Sequence, residues 1–180
     1  MIKERLNILK KEFNNLGIDG YVVPKNDEFF SEYSKQDRLK IISNFSGSAG
    51  YAIILKKKHY LFVDGRYTIQ AEIESGKNFK ILDYSKIFDC KLFKKLTLGI
   101  DAKLFTSEQV DKFFSKKNKI KLIKFNLIDR ILKKKNSLSK PFFSLNDDVV
   151  GESYNKKINK VTKILKKNKS NYLFISAPEN

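Results

Sequence analysis

The fold is set by one stretch of the sequence, SGSAGYAIILKKKHYLFVDGRY, which runs from residue 46 to residue 67. It contains two apolar runs rich in β-branched and aromatic residues, at 51–55 and 60–63, and such runs are typical of buried strands. Three lysines separate the two runs, so we expect an antiparallel pair of strands joined by a short turn. A helix over residues 66–75, ended by Gly76, is predicted to follow directly.

Helices and strands alternate on both sides of this stretch. Upstream, Ile2, Leu6, Leu9 and Phe13 have the spacing of one helix face, and a short apolar run at 20–24 predicts a strand that ends at proline. The same patterns predict further helices over 37–44, 86–95, 106–116 and 127–132, and further strands over 79–84, 97–101 and 120–125. This alternation predicts an α/β fold with a mixed β-sheet flanked by helices.

The alternation is interrupted once and then starts again. Residues 134–147 are rich in lysine, serine and asparagine and lack periodicity, which predicts a linker between a first domain at 1–133 and a second unit at 148–180. The second unit repeats the opening pattern, with an apolar stripe from Tyr154 to Leu165 and a strand-like run at 171–176. A helix and one strand cannot bury their own faces, so we expect a natural product to continue past Asn180 as a second domain of the same kind.

The net charge of +17 raises the question of nucleic-acid binding. Arginine, whose planar fork is suited to reading base edges, stands at only four of the 37 basic positions. The excess is therefore lysine, and a solvated lysine surface explains it better than a base-reading interface does. We keep a basic nucleic-acid-binding module as an alternative, which lysines alternating with aromatic residues on an exposed sheet face would favour.

The sequence has neither membrane-spanning nor export features. No apolar run approaches the roughly 18 residues of a transmembrane helix. Charged residues are scattered through the first 13 positions, which is unlike a signal peptide, and the single cysteine, Cys90, excludes an intramolecular disulfide. We expect a cytoplasmic protein with no membrane partner.

The run Asp64-Gly65-Arg66-Tyr67 is the clearest candidate for binding, because it stands where a predicted strand ends and a helix begins. Ligands of α/β sheets tend to bind at such strand ends, and the guanidinium of Arg66 could receive a carboxylate. A purely structural interpretation is also open, in which Asp64 caps the helix and Arg66 pairs with it locally.

Catalytic and metal-binding residues are scarce in this sequence. The loop at 46–50 lacks the features of a phosphate loop or a nucleophile elbow, and the single histidine, His59, is predicted to be a surface residue. One histidine and one cysteine cannot form a zinc site, and Cys90 fits a buried helix pattern. The carboxylates of Asp27, Glu28 and Glu32 lie on a polar loop, so we expect no metal and no catalytic residue in this chain.

Several of these pieces occur in an order that resembles a known family. They are Gly17-Ile-Asp-Gly-Tyr-Val-Val-Pro24, Asp27, Ser31-Glu32-Tyr33, Arg38-Leu39, Ser43-Asn-Phe-Ser-Gly-Ser-Ala-Gly50, Phe62-Val-Asp-Gly-Arg-Tyr67 and Gln70-Ala71. Together they resemble the creatinase-type amino-terminal domain of Xaa-Pro aminopeptidases (aminopeptidase P). The resemblance departs at Phe29, where the family often has histidine.

The resemblance implies a function for the whole protein more than for this chain. It implies a non-catalytic domain that limits access to a metallopeptidase site, forms a homodimer, and serves peptides with proline in the second position. The two metal ions, usually manganese, would belong to a catalytic domain that this sequence does not contain, and Arg66 would contact the bound peptide. A decayed or split gene product without activity is a third hypothesis.

Overall fold

The computed structural model describes residues 1–31, 36–88, 92–115, 117–131 and 143–175. The chain divides into two compact units, Met1–Lys135 and Asn136–Asn180. Most of the predicted linker at 134–147 lies outside the described residues, so the boundaries 1–133, 134–147 and 148–180 remain a prediction.

The first unit is built on a six-stranded mixed sheet. In chain order its strands are β1 Gly20–Pro24, β2 Gly50–Leu55, β3 His59–Val63, β4 Lys80–Asp83, β5 Thr97–Asp101 and β6 Lys119–Ile123. Their order across the sheet is β4-β3-β2-β1-β5-β6. β2 pairs antiparallel with both β1 and β3, as predicted for the hairpin, whereas the β1–β5, β5–β6 and β3–β4 pairs are parallel. The prediction of a mixed sheet flanked by helices is confirmed.

One face of the sheet is covered by four helices. They are α1 Ile2–Asn15, α2 Arg38–Ser43, α3 Thr68–Ser75 and α5 Leu127–Ile131. The predicted stripe of α1 is buried together with alternate strand residues such as Val23 and Ile54. Gly17 ends this helix region with a φ of +57°, a backbone conformation that glycine adopts without steric cost.

The opposite face is covered by short helical turns, which the sequence predicted less well. The other set of alternate strand residues, such as Ile53 and Phe62, packs there against Ile87, Leu104 and Phe114. Around α4, Ser107–Val110, a capping box forms between Thr106 and Gln109. The predicted helix at 86–95 is wrong, since a 3₁₀ turn covers Tyr84–Phe88 and no helix is found over the described residues 92–95. Residues 89–91, and with them Cys90, lie outside the described part of the chain.

Over the described residues 143–175, the helices of the second unit are α6 Asp147–Val150 and α7 Tyr154–Lys167. The predicted helix is confirmed, and Ser153 caps it by accepting a hydrogen bond from the backbone of Lys156. The predicted strand at 171–176 is not formed over the described residues 171–175, as expected of a segment without a neighbouring strand to complete its backbone hydrogen bonds. Within the described ranges, none of the helices has the length and apolar character that crossing a bilayer requires.

Candidate functional site

Five of the six strands run in the same direction, so their carboxyl ends lie along one edge of the sheet. We call this the carboxyl edge and define it by the first residue after each of these strands: Lys25, Asp64, Tyr84, Ala102 and Lys124. The loop that enters β2 reaches the same edge, because β2 runs the opposite way. The topology therefore places the loop at 46–50 and the Asp64–Tyr67 motif at the same edge of the sheet, although the β2–β3 hairpin separates them in sequence.

The Asp64–Tyr67 motif forms a 3₁₀ turn over Gly65–Tyr67 directly after β3. The Asp64 carboxylate accepts hydrogen bonds from the backbone N–H of Arg66 at 3.0 Å and from its Nε at 2.9 Å. These bonds hold the pKa of Asp64 below its usual range and raise the pKa of Arg66. Both contacts of the structural interpretation are thus present in this turn.

The Arg66 side chain nevertheless remains available to a ligand. It is 78% exposed, and its guanidinium lies 5.7 Å from the ring centre of Tyr67. Among the described residues it donates side-chain hydrogen bonds only through Nε, so its two Nη groups have no partner there. A guanidinium held at Nε with free Nη groups can still bind a carboxylate or two carbonyl oxygens.

The loop at 46–50 contacts this motif directly. The hydroxyls of Ser48 and Tyr67 lie 2.9 Å apart, within hydrogen-bond distance. Ser46, in the same loop, donates from its backbone N–H and its hydroxyl to the Glu74 carboxylate on α3, each at 2.7 Å. Its hydroxyl also accepts a hydrogen bond from the side chain of Gln70. Sequence reasoning named neither Glu74 nor these links, because nothing in the local pattern shows that α3 lies beside this loop.

The loop at 46–50 packs closely against neighbouring residues at Gly50. A Cβ atom on Gly50 would lie 2.9 Å from the carbonyl oxygen of Phe62 and 3.3 Å from Leu39.

The pKa of the Glu74 carboxyl lies below its usual value. Burial alone would raise this pKa, but the hydrogen bonds from Ser46 and Gln70 outweigh the effect of burial. Glu74 is thus held ionised as a partner of the loop.

A second polar cluster orders the loop that follows β1. Lys25 pairs with Asp37 at 2.5 Å, and the Asp27 carboxylate accepts from the backbone N–H groups of Phe29 and Ser31. Phe29, the position at which the sequence resemblance departs, is 76% exposed. Glu32 lies outside the described residues, so the predicted cluster of three carboxylates is described only in part.

The other described residues with catalytic potential do not come together in a site. The described residues contain no group of three histidine, cysteine, aspartate or glutamate side chains that could hold a metal ion. His59, predicted to be a surface residue, is instead half-buried, because its place at the start of β3 sets its ring 5.9 Å from that of Phe79. A two-metal centre therefore does not fit the residues that the structure describes.

The fold, with the loop at 46–50 and the Asp64–Tyr67 turn at its carboxyl edge, defines a creatinase-type amino-terminal domain. The chain belongs to the Creatinase/Prolidase N-terminal domain family, whose sequence model matches residues 5–131.

Longer proteins share this similarity. The curated "Probable Xaa-Pro aminopeptidase P" of Coprinopsis cinerea is 32% identical over 178 residues, covering 90% of this chain and 28% of the relative. An X-prolyl aminopeptidase of Caenorhabditis elegans, described as a cytosolic enzyme with a di-nuclear active site, shares the fold with a TM-score of 0.70 at 24% identity, over 94% of this chain and 32% of that protein. The N-terminal domain of the cytoplasmic peptidase PepQ from Mycobacterium tuberculosis has a TM-score of 0.55 at 18% identity, over 71% of this chain and 98% of that domain. The chain thus spans less than a third of the length of the two longer proteins.

Proposed function

We propose that this chain is the amino-terminal, non-catalytic region of an Xaa-Pro aminopeptidase. In the complete protein it restricts entry to short peptides with proline in the second position, and it contributes to a homodimer. The family match over residues 5–131 supports this proposal, as does the name of the Coprinopsis cinerea relative. The observation that carries it is the exposed Arg66 at the carboxyl edge, beside the Ser48–Tyr67 contact.

In this proposal Arg66 recognises peptide and takes no part in bond cleavage. Asp64 fixes the Nε end of the guanidinium, while the two Nη groups bind a carboxylate or backbone carbonyls of the peptide. The contact between the hydroxyls of Tyr67 and Ser48 holds this turn against the loop at 46–50. A long, charged side chain on a short turn can reach toward a site that lies on another domain.

Metal chemistry in this proposal belongs to another part of the protein. The di-nuclear site named for the Caenorhabditis elegans enzyme agrees with the two metal ions, usually manganese, that the family resemblance implies. The described residues of this chain supply no metal-binding cluster, so no step of the reaction is assigned to them. The same relative is described as cytosolic, which supports a cytoplasmic location.

The alternative of nucleic-acid binding finds little support in the central sheet. Recognition of single strands commonly uses exposed aromatic residues on which bases stack. Tyr21, Tyr51, Tyr60 and Phe62 on the described strands are all buried, at 8% exposure or less. The central strands therefore offer no such stacking surface.

A chimera tests the proposed function. This chain would replace the matching amino-terminal region of the Caenorhabditis elegans enzyme, and release of the first residue from an Xaa-Pro peptide would be measured with and without metal. We expect metal-dependent turnover that is selective for proline in the second position. A folded, metal-loaded chimera without turnover would contradict the proposal and favour a decayed gene product.

A further inference from the structure

A lysine-lined cleft lies at the sheet edge opposite the carboxyl edge. It forms where the turn before β3 meets the 3₁₀ turn Gly76–Asn78 before β4, since these parallel strands begin side by side. The cavity has a volume of about 380 Å³, and its lining includes Lys57, Lys58, His59, Lys77, Phe79 and Lys80. We call it the lysine cleft. Its volume falls in the range of small-molecule sites, roughly 300–1,000 Å³.

The charge of this cleft is uncompensated. No acidic side chain of the described residues lines the cavity. None of its four lysines takes part in an ion pair among the described residues. By contrast, the neighbouring Lys56 lies 3.7 Å from Asp19. A concave surface lined by one sign of charge concentrates its potential and attracts ions of the opposite sign.

His59 gives the cleft a second polar group. The imidazole is half-buried, and its Nδ1 is fully buried next to the backbone of Leu55 and Lys58. Burial first, and the positive charge of Lys10 second, lower the pKa of His59. A bound anion would offset the positive charges of Lys10 and of the cleft lysines, and it would stabilise the protonated ring.

We propose that the lysine cleft binds a small phosphate-bearing molecule with at least two negative charges. Lysine ammonium groups act as point charges that bind phosphate oxygens from several directions. Four of them around one cavity match a diphosphate better than a single carboxylate, because repulsion among the lysines is relieved in proportion to the charge that enters. The buried residues Tyr60 and Phe79 complete the lining of the cavity.

Pyrophosphate is the probe for this site, and the full 180-residue chain is the sample. Because the chain has one histidine, proton NMR reports the His59 imidazole without ambiguity. We expect saturable binding that raises the pKa of His59. The double variant Lys77→Gln/Lys80→Gln should bind about tenfold more weakly or worse. The matched control Lys119→Gln/Lys121→Gln removes the same charge from β6 at the far side of the sheet and should bind like the unaltered chain.

Three outcomes of further binding measurements would contradict the proposal. Equal weakening in both double variants would mean general attraction to a basic protein, and citrate binding as tightly as pyrophosphate would exclude phosphate selectivity. Tighter binding of a single-stranded oligonucleotide that the control variant also weakens would point to a nucleic-acid surface instead. Circular dichroism and melting curves establish that both double variants are folded. No peptidase activity is needed, so the result is independent of the proposed function.

Discussion

The guanidinium of Arg38 binds the carboxylate of Asp129 at two points, with Nε donating to Oδ1 at 2.8 Å and Nη2 donating to Oδ2 at 3.0 Å. The same Nη2 donates to Glu28 at 2.7 Å. Burial lowers the pKa of Arg38, but the two carboxylates outweigh that effect and keep it charged. One buried cation thus joins the loop after β1 to the starts of α2 and α5.

Asp129→Asn should destabilise the first unit. The Arg38 side chain is only 6% exposed, so removal of its two-point partner leaves a charge poorly compensated away from water. We expect a loss of about 3 kcal/mol in the free energy of unfolding, at the lower end for a broken buried pair because Asp129 is partly exposed. Chemical denaturation measures it.

Glu12→Gln is the matched control for that measurement. It also removes one carboxylate from an arginine, Arg130, but that pair is solvent-exposed, at 56% for the arginine and 39% for the glutamate. We expect a change within about 0.5 kcal/mol. Equal losses in the two variants would show that burial of Arg38 does not decide the effect.

The stability of the chain should depend on pH through His59. Burial and Lys10 place its folded pKa below its unfolded value, so the unfolded state binds the proton more readily. The contribution of the neutral imidazole to stability is therefore fully present above the unfolded pKa, near 6.5. It is lost as the pH falls from that value through the lower folded pKa. In phosphate-free buffer, the denaturant midpoint of the unaltered chain should fall relative to that of His59→Gln between pH 8 and pH 5. Parallel curves would contradict the assignment, because both proteins share every other titrating group, including Lys10 and Lys58.

Local sequence patterns predicted those helices and strands of this fold whose apolar residues recur at a regular spacing. The stripe from Ile2 to Phe13 and the alternation along β2 and β3 are direct consequences of which faces must be buried. The turn at Asp64 could also be predicted, since an aspartate before glycine at a strand end caps the next turn.

Features that depend on distant residues could not be predicted in this way. Arg38 and Asp129 are 91 positions apart, and only the finished sheet brings α2 beside α5. The contact of Ser48 with Tyr67 likewise depends on a hairpin that folds back on itself. At 86–95 the apolar residues suggested one helix, yet Ile87 and Phe93 reach the core from a short turn and an irregular segment.

Residues 148–180 should contribute little to the stability of the first unit. Both of its core clusters, among the described residues, are built from positions up to Ile131. Deletion of 148–180 should leave the melting midpoint nearly unchanged, whereas deletion of 127–180, which removes the buried Leu127 and Ile128, should lower it strongly. Differential scanning calorimetry measures both, and a drop of more than about 4–8 °C for the shorter deletion would contradict the prediction.

The isolated chain should have no aminopeptidase activity, with or without manganese. Activation of water by a metal requires several ligands fixed around it, and the described residues supply no such group. Incubation of the pure chain with an Xaa-Pro peptide, followed by chromatography of the products, measures this. Release of the first residue that requires metal and stops with a chelator would disprove it.

Arg66→Lys, made in the chimera with the Caenorhabditis elegans enzyme, should lower kcat/KM on Xaa-Pro peptides by roughly 10- to 150-fold. Lysine keeps the charge but loses the planar fork whose Nη groups have no partner among the described residues, so two-point binding of the peptide is lost. The melting midpoint should scarcely move, because the side chain is 78% exposed.

Arg130→Lys is the control, since Arg130 is also exposed and also pairs with a carboxylate, but lies on α5. It should leave the kinetics unchanged. If Arg66 served only to neutralise Asp64, Arg66→Lys would reduce stability while turnover per folded molecule stayed intact. Kinetics and melting curves on the same preparations separate the two roles, because peptide recognition changes kcat/KM alone.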